Sequence, residues 1–152
     1  PTPGRHTVRY GGNTPCVELR LSNDHLVILD AGSGIRNLGD HLMNAGESVK
    51  AYLLITHPHW DHIQGFPFFK PAFISGNELT IMGTERPEKR LNEIIAEQMN
   101  RIYFPVQLHA LEAKITFVPL QDSRSDTVWN TLERRSSISA TMNRSIGSMR
   151  TP

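Results

Sequence analysis

The segment Thr56-His57-Pro58-His59-Trp60-Asp61-His62 gathers three imidazoles and one carboxylate just after an apolar run, AYLLIT, at residues 51–56. No other segment of the chain compares with it. Imidazole nitrogen and carboxylate oxygen are the donors that borderline-soft divalent metals favour, and the end of a buried strand holds such donors with little residual freedom. Pro58 confines His57 to extended geometry. His57 and His59, two residues apart on extended chain, can therefore point to one side. Asp61 and His62 then turn towards a neighbouring position at a helix start, which leaves room for two adjacent metals. A divalent metal brings the pKa of bound water towards neutrality, and a second stabilises charge developing on a phosphoryl or acyl oxygen. The chemistry that results is attack by a metal-activated hydroxide on an electrophilic centre. The plain alternative is a loop of ordinary polar residues. With seven histidines in 152 residues, the tight clustering of three beside an aspartate weighs against it.

The elements that must position these side chains are legible from periodicity. Residues 25–30 (HLVILD) form a compact apolar run stopped by Ala31-Gly32-Ser33-Gly34, which suits a buried strand feeding a turn. Ile35, Leu38 and Leu42 repeat at helical spacing, and Gly46 marks a stop after Ala45. The 51–56 run is the next strand, so strand, helix and strand follow as a βαβ unit of a layered α/β fold. Asp30, at the end of the first of these strands, is placed either to accept an imidazole N–H or to serve as a turn carboxylate. Gly32 and Gly34 either admit close backbone approach under the site or simply make a turn. Asn13 and Thr14 could shape the same rim.

Elsewhere, residues 7–21 read as two extended pieces around Gly11-Gly12-Asn13, a hairpin or bulged strand. Residues 65–73 (GFPFFKPAF) are too rich in aromatics and prolines for a regular element. Residues 78–82 and 113–120 are strand candidates, and 88–102 is a helix with Leu91, Ile94, Ile95, Met99 and Ile102 on one face. Phe66, Phe68, Phe69, Trp60 and Tyr103 offer an apolar wall for a base or acyl group, although core packing is the commoner use of such residues. Arg86, Lys89 and Arg90 could meet phosphate or simply form a solvated face. His6, His25, His41 and His109 lack ligand-like neighbours.

Composition bounds the class. The chain is 38% hydrophobic and 20% charged, with 16 Lys+Arg against 15 Asp+Glu and a formal net charge of +1. That balance gives no strong nucleic-acid signal. No run approaches the ~18 apolar residues of a membrane-spanning helix, and no signal peptide opens the chain. The single cysteine, Cys16, excludes an intrachain disulfide and fits a reducing, cytoplasmic compartment. The start at Pro1 rather than methionine leads us to expect a piece of a longer protein. From Gln121 to Pro152 the chain turns rich in Ser, Thr and Arg and has no Lys, an atypical tail, disordered or packed on a partner.

The His-x-His-x-Asp-His segment after an apolar strand resembles the signature of the metallo-β-lactamase-fold hydrolases, which include ribonuclease Z, glyoxalase II, phosphodiesterases and true lactamases. Four further segments resemble the bacterial cyclic-nucleotide-phosphodiesterase-like branch, close to ribonuclease Z. They are Arg9-Tyr10-Gly11-Gly12-Asn13-Thr14-Pro15-Cys16, Leu29-Asp30-Ala31-Gly32-Ser33-Gly34, Gly65-Phe66-Pro67-Phe68-Phe69, and Gln98-Met99 with Tyr103-Phe104-Pro105-Val106. The resemblance covers residues 1–120. It implies that this part is the first half of an αββα sandwich, an α/β half-domain whose mixed sheet carries flanking helices. It implies His57 and His59 as ligands of a first metal, Asp61 and His62 as ligands of a second, and Asp61 as the group that orients or deprotonates the attacking water. It implies zinc, one ion or two, with manganese or iron as alternatives, and a small-molecule or nucleotide substrate.

The family completes its site with a later histidine, a bridging aspartate and a final histidine in the second half of the fold. After His62 this chain has one histidine, His109, in the context QLHAL, and Asp122 and Asp126 lack the family's surroundings. The completing ligands are expected from a missing C-terminal half or from another chain in a homo-oligomer. Two functional expectations follow: a metal-dependent hydrolase, or a truncated non-catalytic module that dimerises through its sheet and binds metal weakly or not at all.

Overall fold

Short apolar runs bounded by glycine and polar residues are stable as strands only when buried on both faces, and four such runs here pair side by side. The computed structural model describes residues 3–21 and 25–120. Strand β1 (Val17–Arg20) is followed by β2 (Leu26–Leu29), helix α1 (Gly34–Asn44), β3 (Lys50–Ile55) and the short helix α2 (Trp60–Ile63). Two 3-10 turns, Phe66–Phe68 and Lys70–Phe73, lead to β4 (Glu78–Thr84), helix α3 (Leu91–Gln98), a third 3-10 turn (Leu108–Ala110) and β5 (Lys114–Leu120). The five strands form one mixed sheet in the order β1-β2-β3-β4-β5, with β1 antiparallel to β2 and the other pairs parallel. The fold is α/β, with helices flanking the sheet.

Register sorts the strand side chains into two faces. Leu26 and Ile28 of β2, Ala51, Leu53 and Ile55 of β3, and Leu79 and Ile81 of β4 share one hydrophobic cluster with Ile35 and Leu42 of α1 and Leu91 and Ile95 of α3. All the helices therefore pack on one face, as right-handed crossovers in a sequential parallel order require. On the opposite face the rows Tyr52-Thr80-Thr116 and Lys50-Glu78-Lys114 turn polar, but one row is apolar across all five strands: Val17 pairs with Leu29, Leu29 with Leu54, Leu54 with Met82, and Met82 with Val118, the last two buried. An ordinary solvent-facing side would alternate to polar residues there.

Several expectations change in detail. The pieces around Gly11-Gly12-Asn13 do not pair with each other. Thr7 instead closes local turns onto Gly4, Tyr10 and Gly11, and β1 takes β2 as its partner. Helix α3 is shorter than its apolar spacing suggested. Arg86 and Lys89 form a small bridge before it, and backbone N–H groups of Tyr103 and Phe104 turn back onto the Asn100 carbonyl after it. Ile102 is consequently exposed, not on a buried face. Gln98 ends the helix with both amide atoms buried and unpartnered. The segment 65–73 is ordered as 3-10 turns that bury Phe66 and Phe69 completely. The tail from 121 to 152 lies outside the described residues.

Ile81 is fully buried in the central region of the sheet, so Ile81→Ala should lower the unfolding free energy by about 2–5 kcal/mol in urea titration. A loss below about 1 kcal/mol would show that this face is not the core.

Candidate metal centre

The parallel pairing of β2 and β3 brings their C-terminal ends to one level, with Leu29 opposite Leu54. Asp30 follows β2 and His57 follows Thr56 at the end of β3. Asp30 is the one non-glycine residue of positive φ among those described, at 62°. Such backbone costs on the order of 1–2 kcal/mol for an L-residue, tolerated best by Asn and Asp. Here it turns the carboxylate back over the end of β3. Asp30 Oδ1 accepts the backbone N–H of Thr56 at 2.8 Å, the Thr56 hydroxyl lies 2.9 Å from Oδ1 and 3.0 Å from Oδ2, and His62 Nδ1 lies 2.8 Å from Oδ2. Asp30 is buried, and these contacts are what let a carboxylate sit there. Asp30 thus combines the two arrangements open to it, a turn carboxylate that accepts the Thr56 N–H and a partner of the His62 ring.

The histidines converge. His59 is extended, at φ −71° and ψ 151°, and stands at the N-terminus of α2. The rings of His57 and His59 lie 4.5 Å apart, edge to face, and those of His57 and His62 lie 4.0 Å apart. Asp61 occupies the first turn of α2, with its Oδ2 3.5 Å from His62 Nε2. Its side chain is 54% exposed, against 16% for His62. Asp61 thus faces the open side while His62 is held from behind. The donors are of the type that divalent cations favour. Among the described residues, however, no group of three or more His, Cys, Asp or Glu side chains is closed into an arrangement that could hold a metal ion.

The loop from Ala31 to Gly34 is stitched against this segment. Ala31 N–H donates to the His62 carbonyl at 2.7 Å, Gly65 N–H to the Ala31 carbonyl at 2.8 Å, and Gly32 N–H to the Pro15 carbonyl at 2.8 Å. A Cβ on Gly32 would stand 2.5 Å from the carbonyl oxygens of Asp61 and Pro15 and from Thr14 Oγ1. Its backbone is not in the positive-φ region, so close approach, not turn geometry, is what demands glycine here. Thr14 is buried and Asn13 exposed. Thr14 exchanges hydrogen bonds with Ser33 and receives one from Gln64 Nε2, and Asn13 Oδ1 accepts from the Ser33 hydroxyl. The rim role suggested for this pair is thus a bracing one. Ser33 and Gln64 carry no sequence signal and were not foreseen.

Other candidates disperse. Phe66 and Phe69 are core residues, while Phe68, Trp60 and Tyr103 are exposed, Phe68 edge-on to Phe104 at 5.5 Å. Lys89 pairs with Glu97, and Arg90 serves as the N-terminal residue of α3, its backbone N–H donating to Glu93. His25 stacks on Tyr52. His109 lines a shallow groove of about 490 Å³ with Met99, Asn100, Arg101, Gln107 and Leu108, which contains none of the clustered histidines. Burial, with the charges of Asp30 and Glu18, pushes the Cys16 thiol up to about 11 from 9.0.

No family model, no curated protein and no solved structure matches this chain. Its reading therefore rests on its own residues. Among those described, no helix is long and apolar enough to cross a membrane.

Gly32→Ala should cost about 1–3 kcal/mol in urea titration, because two carbonyl oxygens must give way; an unchanged midpoint would show that the loop yields freely. The Cys16 thiol predicts a pH effect. The unfolded chain loses this proton near 9.0 and the native chain only near 11, so unfolding is favoured progressively as pH rises through that window. The urea midpoint of wild type should fall more steeply there than that of Cys16→Ala, and parallel curves would contradict the assignment.

Proposed function

We propose that this chain carries the metal-holding segment of a divalent-metal-dependent hydrolase of the metallo-β-lactamase kind, acting on a phosphodiester such as a cyclic nucleotide, or on another ester-type bond. The observation that carries the reading is the convergence of three imidazole rings beside Asp61 at the C-terminal ends of parallel strands, the place where open α/β sheets bind ligands. His57 and His59 would hold a first ion, and Asp61 and His62 a second. Zinc suits these donors best, with manganese or iron as alternatives. When bound, the ions supply an activated water and stabilise charge on the scissile group. The exposed Asp61 carboxylate would be placed to orient or deprotonate such a water, and Asp30, bonded to His62 Nδ1, would keep that ring from swinging. The resemblance of the flanking segments to the phosphodiesterase-like branch supports the substrate class. A single cysteine suits a reducing, cytoplasmic setting.

A second reading, a non-catalytic module that pairs through its sheet, draws on Val17, Leu29 and Leu54, the accessible part of the apolar row, and on the unclosed ligand set among the described residues. The remaining ligands would otherwise come from a missing C-terminal half or from the partner copy of a homo-oligomer.

Elemental analysis of protein purified without chelators, with the oligomeric mass of the same sample, separates the two. The hydrolase reading expects about one to two metals per chain. It also expects hydrolysis of a chromogenic phosphodiester to fall about a hundredfold or more in His59→Ala and Asp61→Ala. Full turnover in either variant, or metal-free dimers of wild type, would overturn it.

A further inference from the structure

We infer that Thr56 is a positioning residue, whose hydroxyl, working with Asp30, fixes His57 and His62 in the same tautomer so that both rings present Nε2 to one ligand space. The inference deepens the metal-site reading. Its tautomer assignment, however, stands on the geometry of the protein alone.

The argument is a count of donors and acceptors. An ionised carboxylate only accepts, a hydroxyl has one proton to give, and a neutral imidazole carries N–H on one nitrogen and a lone pair on the other. Asp30 Oδ1 already takes the Thr56 backbone N–H at 2.8 Å. The Thr56 hydroxyl, 2.9 Å and 3.0 Å from the two carboxylate oxygens, must give its proton to Asp30, because neither oxygen can donate. Its oxygen can then only accept, and two ring nitrogens face it, His57 Nδ1 at 3.0 Å and, farther off, His62 Nδ1 at 3.4 Å, the latter with the shorter bond to Asp30 to make. His57 must therefore carry its proton on Nδ1. The same logic at His62, whose Nδ1 lies 2.8 Å from Asp30 Oδ2, places its proton on Nδ1 as well. Each ring is left with a lone pair on Nε2. These two rings lie 4.0 Å apart, and His62 Nε2 is the atom turned towards Asp61.

Threonine suits this role for two reasons. A hydroxyl donates to Asp30 and accepts from His57 at once, which valine of the same shape cannot do. The β-branch also restricts χ1 at the end of β3, so the oxygen stays between its partners although the residue is exposed. Loss of the hydroxyl deprives His57 Nδ1–H of its acceptor and leaves His62 on its own bond to Asp30. The effect should be selective between two histidines of one site, which a general loss of stability would not produce.

Long-range proton–nitrogen NMR correlation on the metal-free, ¹⁵N-labelled chain, above the imidazole titration range, reads both tautomers directly. Wild type should show Nδ1–H at His57 and at His62. In Thr56→Val, His57 should shift towards Nε2–H while His62 keeps Nδ1–H, and Thr56→Ser should restore His57. In a parallel Zn²⁺ titration the apparent affinity of Thr56→Val should fall about 10- to 100-fold, with Thr56→Ser within about threefold of wild type. Nε2–H at His57 in wild type would overturn the inference without recourse to any variant, and so would unchanged Nδ1–H at His57 in folded Thr56→Val. Wild type with both Nδ1–H tautomers and no Zn²⁺ uptake would uphold the positioning role and overturn the metal reading instead.

Discussion

The buried carboxylate of Asp30 is the constraint on which the site depends. A charge removed from water must be met by donors, and Asp30 finds them on two different elements, the end of β3 and the start of α2. The left-handed backbone that aims it carries a steric cost, which the carboxylate's contacts with Thr56 and His62 offset. Parallel register makes the meeting possible, because β2 and β3 end at the same level and Asp30 needs no long loop to reach Thr56. The fold and the site therefore share one interaction: whatever frees Asp30 also frees the turn into α2.

Packing around Gly32 works in the same direction from below. With carbonyls of Pro15 and Asp61 packed against a residue that has no side chain, the peptide joining Asp61 to His62 is held close to the Gly32 backbone. Asp61 is thus held through its backbone while its carboxylate stays exposed. Rigid main chain with an open functional group is the arrangement a site needs when its ligand arrives from outside.

What could be read from the residues was whatever depends on local pattern. The runs at 25–30 and 51–56, the α1 spacing of Ile35, Leu38 and Leu42, its stop at Gly46 and the extended His57-Pro58-His59 follow from periodicity and from proline and glycine sterics. What depends on who meets whom was not readable. Thr56 looks like any strand-terminal threonine until Asp30 is opposite it. A glycine required by close approach carries the same letter as one required by a turn, and only the φ of Gly32 separates them. The aromatic run at 66–69 cannot announce that Phe66 and Phe69 point inward and Phe68 outward, since a 3-10 turn has neither of the usual periods. The end of α3 was missed because Met99 and Ile102 continue its apolar spacing, while the Asn100 carbonyl captures the following backbone and breaks it.

The apolar row on the sheet's second face bears on the same question as the unclosed ligand set. A sheet whose helices all lie on one side usually turns polar on the other, yet here Val17, Leu29, Leu54, Met82 and Val118 line up across every strand. Such a face belongs to the middle of a layered structure. On the proposed assignment the donors have the same need for a second contributor: His57 and His59 would form one pair, Asp61 and His62 another, and a pair is half of a tetrahedral shell. On that proposal both features would be met by one further layer of chain that packs beside Val17, Leu29 and Leu54, the accessible part of the row, and brings its own ligands to the strand ends. The sheet's second face and the metal centre would then be completed together, coupling assembly to metal binding through the same mass action that links any ligand to the state it prefers.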